Sequence, residues 1–152
     1  ASAASVTFSN IPQTYKTLRL AISARTDYAS SADNVVCAWN GVATNNSYRQ
    51  LYGNGTSALS ASGSTPPYTL ATGSTATANT FGNGEIMMPN YSGSANKAFS
   101  LDSVHETNGS TAYQYLLAGL WASSNAVTSI TLTPASGPNF VFGSTFTLYG
   151  LV

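Results

Sequence analysis

Apolar and polar residues alternate with a period of two along most of the chain, and that period predicts strands. It is cleanest over residues 16–23, where Leu18, Leu20 and Ile22 share one face and Thr17, Arg19, Ala21 and Ser23 share the other. Residues 5–9 repeat it with Val6 and Phe8 inward. A turn follows at Pro12, which has no N–H to give a ladder. Further strands are expected at 34–39, 47–52, 85–88, 97–105, 111–122, 127–133, 140–142 and 144–149. Within 127–133, Val127 is out of step with Ile130 and Leu132, and a bulge near Ser129 would bring them into phase. Residues 111–121 are the one stretch that could be helical; a β-rich start and Gly119 favour a long strand. Residues 53–78, dominated by Gly, Ser, Thr, Ala and Pro, read as a long excursion of the kind that carries function.

Eight to ten short strands and no convincing helix predict an all-β fold, an antiparallel two-sheet sandwich. A jelly roll is the first expectation and another Greek-key sandwich the second. A chain of 152 residues fits one domain and buries enough surface to fold without disulfide or metal. The expected unit is therefore a single β-sandwich over residues 1–152, with 1–5 as an extended N-terminal arm.

Composition changes the picture in one respect. Charged residues are 7% of the chain, against about 25% in a typical soluble domain. Five basic and five acidic residues cancel, and a net charge near zero favours association. Lys16, Arg19, Arg25, Arg49 and Lys97 are scattered, so no basic footprint for nucleic acid is expected. No apolar run of about 20 residues points to a membrane. Cys37, the only cysteine, lies in an apolar strand run and reads as a small buried hydrophobe.

Candidate chemistry is sparse. Asp102, His105 and Glu106 are close in sequence, but on a strand His105 faces away from both acids, which leaves a polar strand end. Asp27 and Asp33 flank a serine-rich turn; they lack the dense oxygen spacing of a calcium loop and read as turn caps. Gly53-Asn-Gly55 and Gly82-Asn-Gly84 are tight-turn sequences with no helix after them to hold a phosphate. Neither a nucleophile elbow nor a carboxylate pair emerges from the spacing. No catalytic residue, cofactor or metal is expected, and the chain is not expected to be an enzyme. The four N-x-S/T matches at Asn45, Asn54, Asn90 and Asn108 are what an Asn-, Ser- and Thr-rich chain produces by chance.

Residues 6–20, Val-Thr-Phe-Ser-Asn-Ile-Pro-Gln-Thr-Tyr-Lys-Thr-Leu-Arg-Leu, resemble the opening of a group of small structural proteins of tailed bacteriophages. Residues 129–150 resemble the C-terminal strand pair and Leu-Tyr-Gly ending of the same group, and Arg49, Tyr52 and Gly53 to Gly55 fit its middle. The likeness covers about half the chain and brings no catalytic motif. It implies a virion structural protein on the outer surface of the particle. The first expectation is a head decoration (cement) protein that binds the major capsid protein or another virion protein. Self-association, as a trimer, would add avidity. The alternative is a tail-fibre or carbohydrate-binding adhesin. Tyr48, Tyr52, Tyr68 and Tyr91, in or beside loops, are the candidate contacts for protein or glycan, whereas Trp39 and Trp121 sit in apolar runs and are expected in the core.

Overall fold

The computed structural model describes residues 2–109 and 111–152. Eleven strands form: β1 (Val6–Phe8), β2 (Thr17–Ala24), β3 (Ala32–Trp39), β4 (Asn46–Gly53), β5 (Ala58–Gly63), β6 (Tyr68–Thr72), β7 (Gly82–Pro89), β8 (Lys97–His105), β9 (Tyr113–Trp121), β10 (Ile130–Pro134) and β11 (Thr145–Leu151). They make two antiparallel sheets, β1-β10-β3-β6 and β11-β2-β7-β8-β9-β4-β5. The fold is the expected all-β sandwich. Seven strands in one sheet exceed the share an eight-stranded jelly roll gives each layer. Without the hairpin β7–β8 and the edge strand β11, two sheets of four remain; that hairpin separates β2 from β9.

Alternation explains most of the strands. In β8, Lys97, Phe99, Leu101, Ser103 and His105 are buried while Ala98, Ser100 and Asp102 are exposed. Phe99 meets Trp39 of the other sheet edge-on at 5.6 Å, and its ring lies across Gly119, where a Cβ would come within 2.2 Å of it. Gly119 is thus required by a neighbour's ring, and residues 113–121 are the long strand expected. Trp39, Trp121 and Cys37 are all in the core, and burial pushes the Cys37 thiol up to about 12.

Three expectations are corrected. Residues 53–78 hold two strands, β5 and β6, instead of one long excursion. β5 is Ala-Leu-Ser-Ala-Ser-Gly, with no β-branched residue, and exists because β4 pairs with it in step from Tyr48↔Gly63 to Gly53↔Ala58. Val127 needs no bulge: the strand starts at Ile130, and Val127 reaches the core from the preceding segment, its N–H on the Tyr91 carbonyl. Phe140 makes bridges to Ala3 and Thr26 without a strand. Ala3 and Phe140 exchange both backbone hydrogen bonds, so the N-terminal arm is docked on its own chain there; Ala1 lies outside the described residues.

Several buried polar side chains are held by backbone groups, whereas the indole N–H groups of Trp39 and Trp121 have no partner among the described residues. Lys97, 1% exposed, donates from Nζ to the carbonyls of Gly93 (2.7 Å), Ala95 and Ser123 (3.4 Å). Ser103 Oγ accepts from Leu70 N–H and donates to the Asn83 carbonyl, stitching the two sheets together. Arg25 gathers loop 73–81 around its guanidinium, donating to the carbonyls of Ser74, Ala76, Thr77 and Thr80 at 2.8–3.1 Å.

Candidate contact surface on the seven-stranded sheet

On β4, Tyr48, Gln50 and Tyr52 point inward, and on β9 so do Tyr113 and Tyr115. The ladder register sets Tyr52 opposite Tyr115. Tyr68, the first residue of β6, comes in from the other sheet. The rings join edge-to-face: Tyr52–Tyr115 at 5.5 Å, Tyr68–Tyr115 at 6.0 Å, Tyr48–Tyr68 and Tyr113–Tyr115 at 6.1 Å. Tyr48 lies over Gly63, where any Cβ would strike its hydroxyl. Tyr68 Oη donates to Gln50 Oε1 at 3.3 Å. Burial, and then the neighbouring Tyr48, push the Tyr68 phenol up to about 12; burial also raises Tyr115. All five rings are half-buried.

Three of the four expected contact tyrosines therefore converge, on the flank of the sandwich rather than in a loop. Tyr91 does not join them. It is completely buried, its hydroxyl donated to the Pro12 carbonyl, and so it packs instead of contacting a partner. Tyr113 and Tyr115 were not among the expected residues, although their i, i+2 spacing on a strand already places them on one face.

The other side of the same flank is apolar and open. Leu51 (64% exposed) and Leu116 (51%) sit directly opposite each other on β4 and β9. They line a shallow depression of about 740 Å³ with Arg49, Ser60, Ser62, Ser100 and Ala118. The sequence signal is the pair Leu116-Leu117: on a strand one of them must face out. Towards the other edge, Glu85 and Asp102 are cross-strand neighbours, and Arg19 Nη2 donates to Glu85 Oε2 at 2.6 Å. That ion pair is exposed and raises the Arg19 pKa further.

The groups that could do chemistry stay apart. Asp102 is on the outer face, His105 is buried with Nε2 donating to the Ser31 carbonyl at 2.9 Å, and Glu106 accepts the Asn108 N–H. Asp33 accepts from Thr26 Oγ1, Asn34 N–H and Gly137 N–H; Asp27 is held below its usual range by the side-chain and backbone N–H groups of Asn139. Contrary to the expectation from sequence, neither caps the serine-rich turn it flanks: both carboxylates instead hold the distant segment 137–139, Asp33 through Gly137 N–H and Asp27 through Asn139. Among the described residues no three His, Cys, Asp or Glu side chains are grouped to hold a metal ion. The chain matches no protein-family model, no characterised protein and no solved structure.

Proposed function

We propose that the chain is a non-enzymatic virion structural protein of a tailed bacteriophage, a capsid decoration protein bound to the outer head shell through the outer face of its seven-stranded sheet. The observation that carries this reading is the exposed Leu51–Leu116 pair in a depression whose other walls are mostly small or apolar side chains, with Arg49 beside them. Exposed apolar clusters with polar rims mark protein contact sites. A face of Ala, Ser and Leu gives up little hydration on contact, whereas Lys and Glu would lose much. The sequence likeness to phage structural proteins supplies the context, and the major capsid protein is the partner it favours. Purified chain mixed with decoration-free heads of its own virus should sediment with them and raise their resistance to heat. If it stays in the supernatant, the reading fails.

A second reading, an adhesin that binds glycans, is favoured by the tyrosine cluster, whose half-buried rings offer stacking faces beside hydroxyls. Binding to a glycan array that is lost in Tyr52→Ala, with heads ignored, would replace the first reading by this one.

A further inference from the structure

β5 is the last strand of the seven-stranded sheet, and five of its six residues are exposed on both sides of the pleat. Its ladder runs to β4 alone, so its other side presents backbone N–H and C=O groups with no partner among the described residues. Natural proteins blunt such edges with charge, proline, bulges, extreme shortness or a covering segment. β5 has none of these: Ala58 to Gly63 holds no charge and no proline, and its register against β4 is unbroken. In the smaller sheet, one edge strand, β1, has three residues, and the other, β6, is buried along four of its five.

We propose that β5 is a self-association strand: two copies pair β5 against β5, antiparallel, about a two-fold axis. Direction favours this occupant. All neighbours in the sheet are antiparallel, so β5 and β11, at positions seven and one, run the same way. A head-to-tail join of β5 to the next copy's β11 would be parallel, the weaker ladder. A two-fold join is antiparallel and closes at two copies.

Charge agrees. Opposed residues in a ladder share a face, so an axis through Ser60 sets Leu59 against the partner's Ala61 and Ala58 against the partner's Ser62. The nearest formal charge, Arg49, is opposite Ser62 on the next strand inward, and its row continues into the partner through Ala58 and Gly53. No charge meets its own copy. Leu59, 39% exposed, gains cover. On the outer face the row Leu116–Leu51–Ser60 runs through the axis into its mirror, joining two exposed leucine pairs into one stripe.

The test is solution mass by light scattering on the whole chain. The wild type should be dimeric, and Ser60→Lys, which adds the edge charge nature uses, should be monomeric with an unchanged circular dichroism spectrum. Ser60→Cys should form a covalent dimer on oxidation, because residues opposed on the axis have Cα atoms about 4.5–5.5 Å apart, within disulfide reach. Ser100→Cys, far from the edge, should not; the native Cys37 is buried and silent. A monomeric wild type, a trimer, or a dimer that survives Ser60→Lys would each overturn the proposal.

Discussion

β8 and the β4–β5 flank belong to one sheet, about 14 Å apart at three strand spacings, yet they solve opposite problems. Around β8 the interior is dry. Phe99 packs on Trp39 and Gly119, and even the ammonium of Lys97 is enclosed by three carbonyls. At the flank, the inner side is lined with phenols still reached by water, the outer side shows two leucines, and the edge strand is bare. The difference teaches where the chain invests in stability and where it keeps surface available for a partner.

The largest effect is expected at the dry end. Lys97→Met keeps much of the packing but leaves the Gly93, Ala95 and Ser123 carbonyls without their donor. An unpartnered buried acceptor costs about 1–3 kcal/mol, partly offset here because no ammonium has to be desolvated. A loss of about 3 kcal/mol and a fall in Tm of about 10 °C are expected by calorimetry. An unchanged Tm would mean that the lysine matters only as an apolar stem.

The same contrast governs what could be read in the sequence. The bounds of β8 were legible because Phe99 and Leu101 alternate with Ser100 and Asp102, although Val104 falls out of phase and Ser103 and His105 turn inward. Its buried lysine was not: charge implies surface unless the three carbonyls that receive it, from two separate loops, are known to converge. β5 was invisible for the opposite reason. Ala, Ser and Gly carry no strand signal, and only pairing with β4 defines the element. Tyr48, Tyr52 and Tyr68 were legible as contact candidates, but Tyr91 has the same local look. Its burial depends on Pro12, 79 residues away.

With rising pH the two regions should pull apart. Burial lowers the Lys97 pKa from 10.5, so the unfolded chain binds the extra proton and stability rises with pH up to about that value. Tyr68 shows the reverse. Its phenol is held near 12 in the fold against 10 when free, so the folded chain binds more protons between pH 10 and 12 and stability falls across that window. Tyr68→Phe, which loses one hydrogen bond worth about 1 kcal/mol, should remove the highest step from the phenolate absorbance titration. A titration curve identical to the wild type would show that Tyr68 is not the raised group.

The smallest effect on stability should come from the outer side of the flank. Leu51→Ser with Leu116→Ser replaces two side chains that are 64% and 51% exposed, so little buried area is lost and no hydrogen bond is broken. The Tm should move by no more than about 0.5 kcal/mol of stability implies, and solubility should rise as the apolar cluster disappears. Binding should respond out of proportion: a partner that seats on these leucines loses its apolar anchor, and fully burying a leucine side chain contributes about 1.5–3 kcal/mol. Sedimentation with heads should then fail while the melting curve stays in place. If instead the double variant unfolds early, the leucines are holding the sheet together, and the division between a stabilising centre and an available flank is drawn in the wrong place.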